Sequence, residues 1–188
     1  MITKSILVVN NIIKMIKSMN EIKKTELFLF GSGGHAKVVI STLREIGQEY
    51  SGFVLSNIND QKKIEGENYL SEDDFFKNHD NYSTILINCI GSMPMSTKRF
   101  EVSKRLRDLG YQIRSLIHPS SYISNDVIIS SGVHVMAGAV IQPSTSIGKD
   151  SIINTKASID HDCLIGENCH IAPGATLSGE VSIGDNCH

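Results

Sequence analysis

The chain has 188 residues, with Lys+Arg 18 against Asp+Glu 20 and a formal charge of -2. That balance gives neither the basic footprint of a nucleic-acid binder nor an attraction to acidic membranes, and the length accommodates two domains with real cores. Cys89, Cys163, Cys169 and Cys187 lack C-x-x-C spacing, so they read as reduced, small hydrophobic residues of a cytoplasmic protein.

The first stretch, "MITKSILVVNNIIKMIKS", is interrupted by two asparagines, too short to span a bilayer and without a small-residue cleavage site. It reads as part of an N-terminal extension over residues 1–24, with Met19 a candidate start. An α/β domain is expected over residues 25–116. It opens with an apolar strand, Leu27 to Phe30, followed by a glycine turn in which Gly31, Gly33 and Ala36 satisfy G-x-G-x-x-A. A helix with Val39, Leu43 and Ile46 on one face follows. A second strand, "GFVLSN", ends at Ser56-Asn57 without the acidic residue that would hold a ribose. Strands at "TILINCI" and "QIRSL" and a helix around "KRFEVSKRLRDLG" complete half a dinucleotide-binding fold, suited to a nucleotide-linked ligand more than to a whole dinucleotide.

From Ile117 the text changes to a period of six. Every sixth residue from Ile117 to Ile183 is aliphatic, twelve in succession, and the residue four positions after each is small or slender, from Ser121 to Cys187. Such a period suits neither a helix nor a simple alternating strand; it suits a solenoid in which each hexad is one short strand and a corner. Turn formers stand between the strands, as in "IGKD", "IGEN" and "APGA". The pattern over 117–188 resembles the hexapeptide repeat of the left-handed parallel β-helix. That resemblance implies three hexads per coil, hence four coils, with residues eighteen apart stacked. His134, Ile152, His170 and His188 then share an outer-surface column, and His161 stacks between Pro143 and Gly179.

The segments "FGSGGHAKVV", "LIHPSSYIS" and "DHDCLIGENCHIAPGATLSG" together resemble the bacterial sugar O-acyltransferase family that includes sialic acid O-acetyltransferases and UDP-amino-sugar N-acetyltransferases. The resemblance covers Leu27 to His188. It implies an α/β half-Rossmann domain that holds a nucleotide sugar, a left-handed β-helix that binds acetyl-CoA, and a homotrimer with the active site between subunits. It further implies His161 as general base with Asp162 raising its basicity, His170 against the acetyl-CoA thioester, and the Gly179 amide facing the oxyanion. Gly33, Gly34, His35 and Gly91 would line the sugar-nucleotide pocket. The residues themselves agree: imidazole suits proton removal near neutral pH, a neighbouring carboxylate fixes its tautomer, and a glycine leaves room for an acyl group. His161 and His170 are nine residues apart, half a coil, and so point in opposite directions until a second subunit brings them together.

Family members often carry two aspartates where this chain has Ser56-Asn57. That departure leads to O-acetylation of sialic acid or CMP-sialic acid as the expected reaction, with N-acetylation of a UDP-4-amino-sugar as the alternative. A truncated, inactive sugar-nucleotide-binding protein is the third reading, because the sequence stops at the end of a hexad, before the capping segment and later coils that help hold coenzyme A in the family. No metal is expected, since zinc would need three converging imidazoles and none gather around His161. His79 and His188 are expected to be solvated turn residues.

Overall fold

The computed structural model describes residues 25–59 and 64–188, so the expected extension over residues 1–24 lies outside the described residues. The first part is built around β1 (Glu26–Phe30), whose Leu27, Phe28, Leu29 and Phe30 are all buried. A continuous apolar run of this kind belongs to a parallel strand covered on both faces. The sheet is completed by β2 (Gly52–Leu55), β3 (Tyr69–Ser71), β4 (Thr84–Asn88) and β5 (Gln112–Ile113), all parallel in the order β3-β2-β1-β4-β5. Leu27 and Leu29 point to the side covered by helix α1 (Gly34–Glu45), whereas Phe28 and Phe30 point to the side covered by α2 (Glu72–Asn78) and α3 (Lys98–Asp108).

The pair β3 and α2 was not among the sequence expectations. Its signal is local: the Ser71 hydroxyl accepts from the Asp74 amide at 3.1 Å, an S-x-x-D cap ahead of Phe75. A three-residue strand with no fully buried position leaves too little periodicity to be read. His79 departs from the expected solvated turn residue. Its ring stacks on Phe75 and Nδ1 lies 3.0 Å from Glu26, because the end of α2 packs against β1.

From Leu116 the chain forms twelve two-residue strands in three four-stranded parallel sheets. The first sheet contains β6 (Leu116–Ile117), β9 (His134–Val135), β12 (Ile152–Ile153) and β15 (His170–Ile171). The second contains β7 (Tyr122–Ile123), β10 (Val140–Ile141), β13 (Ser158–Ile159) and β16 (Thr176–Leu177). The third contains β8 (Ile128–Ile129), β11 (Ser146–Ile147), β14 (Leu164–Ile165) and β17 (Ser182–Ile183). The chain visits the three sheets in turn, giving four coils of a left-handed parallel β-helix, with partners eighteen residues apart. Eleven of the twelve hexad aliphatics join one core. Ile117 does not: on the end coil it is 42% exposed, with no preceding coil to cover it.

The corners repeat as closely as the core. From Gly132 to Asn186 every sixth residue has positive φ, and seven of these ten are not glycine. Aspartate and asparagine tolerate this left-handed conformation best, and Asp150, Asp162, Asn168 and Asn186 occupy four of those seven places. The slender positions also satisfy corner carbonyls: Thr145 donates to the Asp160 carbonyl at 3.1 Å and Ser151 to that of Gly166 at 2.9 Å.

Helix α1 packs on the outward face of the first solenoid sheet. Leu116, Met136 and Ile152 share a core with Ala36, Val39, Ile40 and Leu43. The expected column of His134, Ile152, His170 and His188 is present, but its placement on the outer surface is corrected: His134 and Ile152 are buried, since the face that is outward for the solenoid is inward for the molecule. Arg99 of α3 fastens the two layers. Its guanidinium is 1% exposed and donates to the carbonyls of Asn88 and Ile90 on one side and of Gly132 and Asp150 on the other, at 2.7 to 3.2 Å. Burial lowers its pKa to about 10. Arg107 grips the buried Asp150 carboxylate with both terminal nitrogens.

Candidate active site

A cavity of about 690 Å³ lies between the α/β layer and the first solenoid sheet. The glycine turn forms one wall. Gly31 has φ 91, where a side chain would be strained, and a Cβ there would stand 2.9 Å from Ile90. The turn delivers the start of α1, which has no side-chain cap and no acidic residue in its first turn, so its free amides and dipole favour an anion such as phosphate. Gly33, Gly34, His35 and Gly91 all line this cavity, as expected from the sequence, and so does His170.

Two imidazoles meet at its edge. His35 Nε2 lies 2.9 Å from Nδ1 of the fully buried His134, whose Nε2 has no partner among the described residues. One of these two nitrogens donates to the other, which ties the rings together whichever tautomer each adopts. Burial, reinforced by Arg99, lowers the His35 pKa to about 3 and holds His134 neutral as well. His170 is held differently. Asn154 turns its carbonyl oxygen to the Thr155 amide and its amide nitrogen to His170 Nε2, at 2.8 Å each. With its pKa lowered to about 4 by burial and then His188, the neutral His170 ring carries its proton on Nδ1 and donates it to His188 Nε2 at 2.8 Å. Both His170 nitrogens are therefore engaged; His188 is exposed, as expected from the sequence, and is also the hydrogen-bond partner of His170.

His161, Asp162 and Gly179 come together elsewhere. They sit at the corner between the second and third solenoid sheets, across the prism from the sheet that faces α1, and none of them lines the cavity. Asp162 takes the left-handed corner conformation, φ 58, and its Oδ2 lies 2.8 Å from His161 Nδ1. This hydrogen bond, with the charges of Asp160, Asp162 and Glu180, raises the His161 pKa above its ordinary value. One coil on, Gly179 lies against the ring: a Cβ there would stand 2.5 Å from His161 Cε1 and 2.6 Å from Nε2. An imidazole oriented by a carboxylate through Nδ1, with Nε2 free beside bare backbone, can take a proton from an attacking amine or hydroxyl.

The sequence reading missed Arg99, Asn154, His134 and Glu72 as parts of the cavity and its frame. Their residue types follow no motif; His134, Arg99 and Glu72 find partners 99, 51 and 33 residues away, and Asn154 finds His170 on the next coil.

A carboxylate-bound histidine on a hexapeptide solenoid thus shares one chain with an α/β domain that opens on a glycine turn, an arrangement able to serve acyl transfer to a phosphate-bearing acceptor. Residues 26–101 match the PglD N-terminal domain and residues 144–179 the bacterial transferase hexapeptide (six repeats). The chain is similar to a mutant of perosamine N-acetyltransferase from Caulobacter crescentus, solved in complex with CoA and GDP-perosamine: 32% identity, TM-score 0.73, covering 86% of this chain and 75% of that one. It is similar also to the acetyltransferase domain of PglB from Neisseria gonorrhoeae in complex with acetyl coenzyme A, with 30% identity, TM-score 0.72, and 87% and 82% coverage. WeeI from Acinetobacter baumannii shares the fold at 24% identity, TM-score 0.67, and 85% and 75% coverage. The chain belongs to the bacterial hexapeptide acetyltransferase family and is an acetyl-CoA-dependent sugar acetyltransferase. Among the described residues no helix is long and apolar enough to cross a membrane.

Proposed function

We propose that the protein transfers the acetyl group of acetyl-CoA to the amino group of a nucleotide-linked amino sugar. The observation that carries this reading is the His161–Asp162 pair lying against Gly179. His161 Nε2 removes the proton as the amine nitrogen forms its bond to the thioester carbonyl carbon. Asp162 stabilises the imidazolium, and the Gly179 amide faces the developing oxyanion. As the C–S bond breaks, the proton returns from His161 to the coenzyme A thiolate, leaving an amide and a thiol. Gly33, Gly34, His35 and Gly91 hold the nucleotide end of the acceptor, with its phosphates at the start of α1.

Because the cavity and His161 occupy opposite sides of one chain, the acceptor held by one copy must meet His161 of another; a homotrimer supplies that juxtaposition. The reading carries a cytoplasmic location, since acetyl-CoA and nucleotide sugars are made there. Similarity to N-acetylating relatives favours nitrogen over the sialic acid oxygen to which Ser56-Asn57 pointed. Mass spectrometry after incubation with acetyl-CoA and a panel of nucleotide-linked amino sugars, CMP-sialic acid and free sialic acid tests it. A hydroxylamine-resistant acetyl product on an amino sugar is expected. A hydroxylamine-labile ester on sialic acid would restore O-acetylation, and absence of any product would favour the inactive binder.

A further inference from the structure

In a sheet of order β3-β2-β1-β4-β5 a nucleotide lies outside the carboxyl ends of the strands, with its ribose near the end of β2. In this chain that end is Ser56-Asn57, which lacks a carboxylate, and the Asn57 side-chain oxygen already accepts from the Asn59 amide at 3.0 Å. The fold brings a carboxylate to the same place from another element. β3 runs parallel to β2 with Ser71 opposite Leu55, so the next residue, Glu72, stands level with Ser56. Both line the cavity. Glu72 is also held: Arg105 of α3 donates to its two oxygens at 2.6 and 2.9 Å, and the Glu72 side chain is 16% exposed. A bidentate arginine fixes the carboxylate plane and leaves a lone pair on each oxygen, which matches two vicinal hydroxyls.

We propose that Glu72, oriented by Arg105, accepts hydrogen bonds from the ribose hydroxyls of the bound nucleotide and makes the cavity selective for ribonucleotides. The inference rests on the reading of this cavity as the nucleotide-sugar pocket.

The test is calorimetric titration of the full chain with UDP, GDP and CMP, and with the 2′-deoxy form of whichever binds. The wild type should prefer the ribonucleotide by roughly ten-fold or more, the usual worth of a hydrogen bond to a charged group. Glu72→Gln should weaken ribonucleotide binding by a similar factor and the 2′-deoxy form, which keeps only the 3′ hydroxyl, by clearly less, and the retained binding of the 2′-deoxy form also reports that the cavity is intact. Arg105→Met should reduce the preference in the same direction by releasing the carboxylate. An undiminished preference in Glu72→Gln, or equal losses for both nucleotides, overturns the assignment. If no nucleotide binds the wild type, the pocket reading itself fails, an outcome distinct from binding without discrimination.

Discussion

His161 and His170 occupy the same kind of repeat, nine residues apart, yet their environments are opposite. His161 stands at an open corner, where its hydrogen bond to the Asp162 carboxylate and the charges of Asp160, Asp162 and Glu180 raise its pKa. His170 stands on the face beside the α/β layer, where burial, His188 and Arg99 lower its pKa to about 4. The solenoid presents His161 from a corner turn and His170 from strand β15. Place in the repeat and what covers that place together decide whether a histidine is held ready to take up a proton or kept as a neutral hydrogen-bonding group.

The contrast can be broken most directly at the corner. His161→Ala should lower kcat by roughly 100-fold or more with the fold retained, because an exposed base contributes to the transition state rather than to the core; unchanged turnover would remove it from the chemistry. Gly179→Ala follows, since the added methyl would stand 2.5 Å from the ring and push the imidazole aside. A displacement of that size costs on the order of 10- to 100-fold in kcat, and a crystal structure of the variant with the ring unmoved would contradict the cause.

Asp162→Asn should cost about ten-fold, the value of a charge-assisted hydrogen bond. It also carries a sign. The base must be neutral, so kcat/KM rises with pH through the His161 pKa, which Asp162 holds above 6.5. Removing the carboxylate lowers that pKa and moves the acid limb to lower pH; a limb that moves upward or stays put would deny Asp162 this role. The smallest effect sharpens the comparison without any substitution. In an NMR titration of the histidine rings, His161 should titrate above the ordinary imidazole value and His170 near pH 4, and coincident midpoints would erase the difference.

Much of this was legible in the text of the chain. The hexad aliphatics specify the solenoid because each is locally repeated, and the eighteen-residue stacking follows from three sheets visited in turn. His161, Asp162 and Gly179 were readable as one group because two are adjacent and the third lies one coil on. The glycine turn was readable because strand, turn and helix are contiguous. The burial of His134 and Ile152 was not: outward residues of a solenoid look solvated until α1 is laid across them. The capped α2 had a signal in Ser71 and Asp74, but β3 beside it is too short to show a period.

By itself, then, the sequence determined the two folds and the grouping of His161, Asp162 and Gly179 at the open corner, since these depend on short-range periodicity and on neighbours within one coil. Only the tertiary structure decided how the cavity is walled and framed. Arg99 reaches carbonyls from 9 to 51 residues away, and Asp150 and Arg107 meet across 43 residues. Glu72 and Arg105 pair across 33 residues. Such partners are chosen by the packing of α1 and α3 against the sheets, and a residue's chemistry on a docked face depends on desolvation that no local pattern encodes.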